Sequence, residues 1–353
     1  MFDNMTDSAT LCATAKTGND SYDTEDPMEM EKQKSLIILL SCPLSAFIIL
    51  SNLFIIIGIV FNKKLHNSTN YFFLSLLFAD FFTGTMLPVI PSMRFSKDLD
   101  YHWCLIFFIT PNFFFLSFLT NLLMVHYEKY LCIIYPLHYQ NIWVHRCVPF
   151  SLFLVWTLPL AVSCLPMMGW NNWNNSCICS YKQIFPIEYI YMETYGLVIP
   201  AILAMSFITI KLLLVARKQL KEIKKLHRSV QRDAATDLDR QMDLNYTKCI
   251  AIFSLTFLIC WVPYIALLQV SVLVLENYEI SWWIVLTLTC VGSGSAAIVP
   301  VILGLSHRQY TELWRTLCKK YCQSSCKPGG HPPNHHNMVS KEETLEDGLT
   351  ADK

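Results

Sequence analysis

The sequence predicts an all-α membrane protein: a seven-transmembrane helix bundle with a short C-terminal helix parallel to the membrane. Of its 353 residues, 53% are hydrophobic and only 15% are charged, whereas soluble chains carry about 25% charged residues. The apolar residues also concentrate in seven stretches, each near the length of about 20 residues that a helix needs to cross the hydrocarbon core of a bilayer. These observations exclude a water-soluble globule and an intrinsically disordered chain.

The seven predicted spans are separated by short polar breaks and form a transmembrane domain over residues 36–305. Few charged residues interrupt them: Asp80 lies in the second span, and Glu193 and Lys211 lie in the fifth. Several spans contain proline, which transmembrane helices tolerate because neighbouring helices bond the freed carbonyls, so we expect kinked helices. The spans cover residues 36–61, 71–91, 105–125, 148–168, 189–215, 249–275 and 282–305.

Residues 1–35 are predicted to form an extracellular N-terminal tail. The segments after the first, third, fifth and seventh spans carry more Lys and Arg than those after the other spans, and this excess marks the cytoplasmic side. The tail contains N-x-S/T sequons at Asn4 and Asn19, which are candidate glycosylation sites, although two more sequons fall in predicted cytoplasmic loops. No apolar signal segment precedes the first span. We expect a multi-pass protein of the cell membrane with its N-terminus outside.

One disulfide is expected on the extracellular side. Most of the fourteen cysteines lie inside spans or on the reducing side of the membrane, where disulfides are rare. Cys104 opens the third span, and Cys177 and Cys179 lie in the loop after the fourth. A bond between Cys104 and Cys179 would tie that loop over the end of the third helix, with Cys177 as the alternative partner.

The segment after the last span, residues 306–326, is predicted to form an amphipathic helix along the inner surface of the lipid bilayer. Apolar residues such as Leu313 and Trp314 alternate there with basic residues such as Lys319, the composition of helices that lie in the membrane interface. Residues 327–353 are rich in Gly, Pro and charge and are expected to form a disordered cytoplasmic tail.

Charge and motif content exclude several functional classes. The formal net charge is zero, which argues against a nucleic-acid-binding protein, because binding to phosphates depends on a basic excess. The sequence has no P-loop, no G-x-S-x-G and no metal-ligand spacing, so we expect no enzyme, no cofactor and no metal site. Acids inside the spans leave a membrane transporter as a remote alternative, which the absence of internal repeats disfavours.

Landmark residues in consecutive spans resemble those of the rhodopsin-like G protein-coupled receptors. Residues 128–130, Glu-Lys-Tyr, stand at the family's Asp-Arg-Tyr motif at the end of the third span, and residues 260–264, Cys-Trp-Val-Pro-Tyr, stand at its sixth-span motif. The family's Asn-Pro-x-x-Tyr in the seventh span is replaced by residues 299–303, Val-Pro-Val-Ile-Leu. The further landmarks are Asn52, Asp80, Trp156 and Pro200.

Within that family, the sequence is similar to the bile acid receptors over about residues 52–314. The similarity rests on residues 292–305 and on the segments 110–113, Thr-Pro-Asn-Phe, and 193–196, Glu-Thr-Tyr-Gly. It implies a bile acid, a bile alcohol or a related sterol amphipath as the ligand. A class A receptor for a different small ligand, adenosine-like or orphan, is the alternative.

The resemblance implies a ligand site between the third, fifth, sixth and seventh helices. Glu193 and Tyr264 are expected to face a ligand hydroxyl, although an interhelical hydrogen bond is the alternative role of Glu193. Asn112 shares a helical face with Phe108 and Phe115, and Phe108 replaces a tyrosine of the similar receptors, so a different steroid preference is expected. The predicted ligand contacts are Phe108, Asn112, Phe115, Glu193, Trp261, Tyr264 and Ser271.

The same resemblance implies coupling to a heterotrimeric G protein of the stimulatory class with a rise in cyclic AMP, and arrestin as a further partner. Lys129 stands where the family has arginine, and a compact ammonium lacks the planar fork of a guanidinium. We therefore expect altered coupling efficiency. The residues implied in switching and G protein coupling are Asp80, Glu128, Lys129, Tyr130, Leu137, Trp261 and Pro300.

Overall fold

A computed structural model describes residues 27–92, 100–135, 146–173, 179, 181–226, 234–273 and 281–306. Within these residues seven long helices pack side by side into one bundle, so the predicted all-α seven-helix architecture is confirmed. The helices are α1 (Pro27–Phe61), α2 (Ser68–Met86), α3 (Tyr101–Ile134), α4 (Val148–Ser163), α5 (Ile187–Glu193, the π-helical turn Thr194–Val198, and Ile199–Leu226), α6 (Ala234–Leu273) and α7 (Trp282–Ser306).

Four short helical segments lie between the long helices. Lys63–Leu65 follows α1, and Val89–Ser92 follows α2. Leu165–Met168 ends the α4 segment, and Tyr181–Ile184 precedes α5. The last two segments lie at the same end of the bundle as the start of α3, because successive helices run in opposite directions.

The outer surface of the bundle is apolar. Helical stretches in α1, α3, α5, α6 and α7 are long and apolar enough to cross a membrane. Large side chains such as Leu39, Leu203 and Ile259 are more than half exposed on these helices. Contiguous apolar surface of this kind is unfavourable in water and is covered by lipid in a membrane protein.

Several helices extend beyond the apolar stretches from which they were predicted. α1 begins at Pro27 rather than at residue 36, α5 continues to Leu226, and α6 begins at Ala234. Hydropathy marks only the part of a helix that lies in hydrocarbon. The extensions of α1 and α5 are rich in Lys, Glu and Gln, which favour helix in water, and the extension of α6 is rich in other polar residues such as Asp and Thr.

Other predictions fall outside the described residues. These are the tail over residues 1–26 with Asn4 and Asn19, Leu137, Cys177, and the C-terminal helix and tail beyond residue 306.

Close helix packing places α1 against α2 and α7. A side chain at Gly84 of α2 would put its Cβ 2.7 Å from Ile48 Cγ2, so only glycine permits this approach. Ser45 Oγ donates to the Gly84 carbonyl at 2.7 Å, and Asn52 Nδ2 donates to the Ala296 carbonyl of α7 at 3.1 Å. Small residues and interhelical hydrogen bonds are the usual means of association in bilayers, where the lipid offers no hydrophobic driving force between helices.

A second polar junction joins α2, α3 and α4. Trp156 Nε1 donates to Ser75 Oγ at 2.9 Å, and Ser75 Oγ donates to Asn121 Oδ1 at 2.6 Å. The landmark Trp156 therefore has a structural role, because it aligns α4 with α2 and α3.

Candidate functional site

The site is built at the end of the bundle where α3 begins. A disulfide joins Cys104 in the first turn of α3 to Cys179 in the loop before α5, with a Cα–Cα distance of 5.8 Å, so the predicted pairing is confirmed. The loop is also fixed by the Asn172 backbone N–H, which donates to the Gln183 carbonyl at 2.8 Å. These links hold the short helix Tyr181–Ile184 over the start of α3.

Aromatic rings from this loop cover Phe108 of α3. The Phe108 ring centroid lies 6.1 Å from that of Tyr181 and 6.5 Å from that of Phe185, both in edge-on contact. Phe185 in turn stacks on Tyr189 of α5 with 5.1 Å between centroids. Such a wall of rings suits a rigid apolar ring system. Tyr181 was missed by sequence reasoning, because an irregular loop has no periodicity that reports which side chains point inward.

A polar centre lies among these rings and joins α3 to α4 and α5. Asn112 Nδ2 donates to the Tyr189 hydroxyl at 3.0 Å, and that hydroxyl donates to the Val162 carbonyl of α4 at 3.3 Å. The Asn112 side chain also interacts with the carboxyl group of Glu193 on α5. The structure thus brings the predicted residues Asn112 and Glu193 together, with Tyr189 as a member that sequence reasoning missed.

Glu193 has a carboxyl oxygen that accepts no hydrogen bond from the described residues. The residue is only 8% exposed, and its Oε1 has no hydrogen-bond partner among the residues that the structure describes. Leaving a buried polar atom unsatisfied costs about 1–3 kcal/mol, and more for a charged group. A ligand hydroxyl placed at this atom would remove that cost.

Among the described residues, three phenol groups lie near the Glu193 carboxyl. Tyr181 from the loop, Tyr189 from α5 and Tyr264 from α6 all lie close enough to interact with its charge. Desolvation raises the pKa of the Tyr181 phenol well above its usual value, so this hydroxyl stays protonated and available as a donor. The predicted pair of Glu193 and Tyr264 is therefore part of a larger cluster.

The π-helical turn of α5 presents a second polar group to α6. Its geometry is defined by the Ile199 backbone N–H, which donates to the Thr194 carbonyl five residues earlier; π turns of this kind occur frequently at functional sites. Gln269 Nε2 of α6 donates to Thr194 Oγ1 at 2.8 Å, and Gln269 Oε1 is buried without a partner in the described part of the chain. Ser271 lies in α6, where its side chain is not among those described.

Trp261 lies between this cluster and the middle of the bundle. Its ring contacts Tyr264 edge-on at 5.9 Å between centroids and Phe115 at 4.6 Å. Its Nε1 donates to Ser295 Oγ of α7 at 2.9 Å. A Cβ at Gly292 would lie 3.1 Å from the Trp261 ring, so the glycine admits the indole against α7. Phe115 therefore packs on Trp261 in the core, one layer away from Asn112.

The opposite end of α3 holds a compact ionic group. Lys129 Nζ donates to Thr69 Oγ1 of α2 at 3.0 Å and lies 3.6 Å from Glu128 Oε2. Thr69 Oγ1 donates to Glu128 Oε1 at 2.7 Å. Lys129 and Glu128 are buried, so the ammonium is held against α2. Tyr130 packs beside them on Ile208 and Leu212 of α5.

Two further predicted switch residues lie in the middle of the bundle. Asp80 is fully buried, and neither of its carboxyl oxygens has a hydrogen-bond partner among the described residues. Pro300 lies within α7. The part of the chain that the structure describes contains no group of three or more His, Cys, Asp or Glu side chains arranged to hold a metal ion.

Comparison with known proteins shows extensive similarity to membrane receptors. Residues 51–303 match the 7 transmembrane receptor (rhodopsin family). The chain is 40% identical over 286 residues to G-protein coupled bile acid receptor 1 of Rattus norvegicus, with 80% of this chain and 85% of the relative covered. It is 38% identical to the protein of the same name from Homo sapiens, with the same coverage. It is also 24% identical over 328 residues to Adenosine receptor A2b of Rattus norvegicus, with 86% and 96% covered.

Proposed function

The chain belongs to the rhodopsin family of seven-transmembrane receptors, in the group of the G-protein coupled bile acid receptors, and we propose that it binds a bile acid or a related sterol amphipath and activates a stimulatory G protein. It is a multi-pass membrane receptor and not an enzyme. The proposed ligand class comes from the relatives, which are named as bile acid receptors. The side chains around Glu193 are the groups by which this chain would recognise such a ligand.

The N-terminus and the disulfide end of the bundle face the outside of the cell in this proposal. The disulfide between Cys104 and Cys179 requires an oxidising compartment. The basic residues at the end of α5, such as Arg217 and Lys218, lie at the opposite end and suit the cytoplasmic side. The site is then open to ligands outside the cell, and Lys129 faces the inside.

The Glu193 carboxyl is the proposed acceptor of a hydrogen bond from a ligand hydroxyl. Its Oε1 accepts no hydrogen bond from the residues that the structure describes, and the carboxyl lies near the phenol groups of Tyr181, Tyr189 and Tyr264. The rings of Tyr181 and Tyr189 in turn contact the apolar rings of Phe108 and Phe185. A sterol has a rigid apolar body with a hydroxyl group, which matches a wall of rings with one buried acceptor. Tyr181 joins Phe108, Asn112 and Tyr264 as a proposed contact.

Trp261 is proposed to transmit ligand binding to α6. A ligand that displaces Tyr264 would press on the Trp261 ring, which packs on Phe257 and Phe118 toward the inner half of the bundle. Outward movement of the inner half of α6 would open a crevice beside Lys129 for the G protein.

The observation that carries the proposal is the unsatisfied oxygen of Glu193 within an aromatic site. To test it, cells that express the chain are exposed to a panel of bile acids and bile alcohols while cyclic AMP is measured, and ligand binding to the purified receptor is measured in parallel. We expect a response to at least one member of the panel. Glu193→Ala and Tyr264→Phe should each weaken its affinity by about tenfold, the effect of one lost hydrogen bond.

Glu188→Ala is the matched control, because Glu188 lies in the first turn of the same helix and is exposed. Its affinity should equal that of the unmodified receptor at equal surface level. Binding without cyclic AMP would overturn the stimulatory class while supporting the ligand. A flat panel combined with a response to adenosine would overturn the ligand class and favour the alternative.

A further inference from the structure

A chain of side-chain hydrogen bonds crosses the inner half of the bundle, away from the proposed ligand site. His126 Nδ1 of α3 bonds to the Leu122 carbonyl at 2.7 Å, and His126 Nε2 bonds to Ser254 Oγ of α6. Ser254 Oγ bonds in turn to Thr209 Oγ1 of α5 at 2.6 Å. His126, Ser254 and Thr209 are buried, at 0%, 2% and 6% exposure. One continuous chain therefore joins α3, α6 and α5.

The direction of each bond in this chain follows from the carbonyl at its end. A carbonyl oxygen only accepts, so Nδ1 of His126 carries the hydrogen and donates to Leu122. In the neutral ring Nε2 is then an acceptor, and Ser254 Oγ donates to it. The Ser254 oxygen accepts from Thr209 Oγ1, so the donors run from α5 through α6 to α3. Bonds aligned in one direction strengthen one another.

The position of this chain of hydrogen bonds matters for movement of α6. Ser254 lies about two helical turns before Trp261, on the inner side of the Phe257 ring that packs on Trp261. Apolar residues adjoin the bonded groups along the helices: Phe253, next to Ser254 in α6, is buried in the main core, and Leu212, about one turn after Thr209 in α5, is buried in a small cluster. No lipid tail can replace a lost hydrogen bond in such surroundings.

We propose that Thr209, Ser254 and His126 are positioning residues that form a latch, which holds the inner halves of α5, α6 and α3 together in the ligand-free receptor. Outward movement of α6 separates Ser254 from His126, so the latch favours the closed arrangement. This inference rests on the proposed receptor function, because it assigns the bonds to the helix movement that would admit a G protein. It predicts that loss of the latch opens α6 without ligand.

The expected size of the effect follows from interhelical hydrogen bonds in membranes. A single such bond changes an equilibrium by about threefold to tenfold. Thr209→Val removes one bond with little change of shape, whereas Ser254→Ala removes both bonds of Ser254. The Thr209→Val/Ser254→Ala double variant should therefore open no further than Ser254→Ala alone, since the hydroxyl of Thr209 has already lost its partner.

The experiment measures the distance between spin labels in the purified full-length receptor without ligand. The labels are placed at Arg146→Cys, two residues before α4, and at Lys248→Cys on α6, two exposed positions, in a background whose other reactive cysteines are serine. We expect the ratio of the population at the closed distance to the population at the open distance to fall about threefold to tenfold in Thr209→Val and in Ser254→Ala. Ser254→Thr, which keeps the hydroxyl, should stay closed.

Thr120→Val is the matched control. Thr120 is also a buried threonine with an interhelical bond, since its Oγ1 donates to the Val155 carbonyl of α4 at 2.8 Å, but it does not contact α6 through that bond. Unchanged distances in Thr209→Val and Ser254→Ala, or an equal shift in Thr120→Val, would overturn the latch. Because the measurement needs neither a bile acid nor a G protein, a failed ligand panel would leave its result intact.

Discussion

The buried polar side chains of Glu193, Gln269 and His126 differ in whether their hydrogen bonds are satisfied. Glu193 and Gln269 each have a side-chain oxygen at the proposed ligand site that accepts no hydrogen bond from the part of the chain that the structure describes, whereas both ring nitrogens of His126 are bonded inside the bundle. A buried acceptor without a donor costs free energy that a ligand donor can remove. A ring with both nitrogens bonded instead stabilises the helix arrangement in which it is found. The residue type alone does not distinguish these two situations.

Lys129 carries the clearest prediction at the residue scale. Its ammonium contacts Thr69 and Glu128, and after α6 opens it can offer only a compact charge to an inserted G protein. A guanidinium would add a planar fork and a more weakly hydrated surface. We expect Lys129→Arg to raise the maximal response at saturating ligand by about twofold to fivefold, equivalent to about 0.5–1 kcal/mol, as measured by cyclic AMP at equal surface level.

Ligand affinity measured without G protein should not change in Lys129→Arg, because the residue lies at the other end of α3 from the ligand site. Lys211→Arg is the control, since the Lys211 ammonium lies over the Phe207 ring on α5 and outside the Lys129 group. An unchanged maximal response in Lys129→Arg would show that coupling tolerates either cation.

At the scale of elements, the loop before α5 and the start of α3 behave as one unit. The disulfide closes a separation of 75 residues and holds Tyr181 over Phe108. The π-helical turn shifts the register of α5 directly after Glu193. The proposed ligand site is therefore shaped by one covalent link and one local irregularity in a helix.

Loss of the disulfide should weaken both stability and ligand binding. Removing a native disulfide costs about 2–5 kcal/mol in small domains, and here it would also release Tyr181 from the site. We expect Cys104→Ser and Cys179→Ser to lower the thermal unfolding midpoint of the purified receptor and to reduce ligand affinity by more than about tenfold. Cys164→Ser, at a free cysteine, should match the unmodified protein.

The Cys104→Ser/Cys179→Ser double variant distinguishes a lost bond from two separate packing defects. If the bond is what matters, the double variant is no less stable than either single variant. An additive loss of stability would instead indicate that the two sulfur atoms contribute through packing.

At the scale of the whole bundle, α2 differs from the other helices in its buried polar residues, and α4 differs from them in its length. α2 is largely buried, and its buried residues include Asn70, Ser75, Asp80 and Thr83, so its mean hydropathy is reduced by groups that face other helices rather than lipid. α4 is apolar but has only 16 residues. All seven helices were predicted because the positions that face other helices and those that face lipid are both mostly apolar.

Orientation is a prediction for the whole molecule. The positive-inside rule and the need of the disulfide for an oxidising compartment both favour an N-terminus outside the cell. An epitope tag at the N-terminus should be stained on intact cells, and a tag at the C-terminus should be stained only after permeabilisation. The reverse pattern would contradict the proposed orientation and would also place the ligand site on the cytoplasmic side.

From the sequence alone we could predict the number of helices, their approximate positions and the family. The sequence also left two candidates, Cys179 and Cys177, as the disulfide partner of Cys104, and Glu193 and Tyr264 were expectations from the family resemblance. Hydropathy measures a local transfer energy, and motifs are local strings, so both are readable along the chain. Only the tertiary structure decided that Tyr181 covers Phe108, that Gln269 bonds to Thr194, and that Ser254 links His126 to Thr209. Those contacts join residues on different elements, and they depend on how each helix is rotated, which the apolar pattern of a helix surrounded by lipid and protein does not specify.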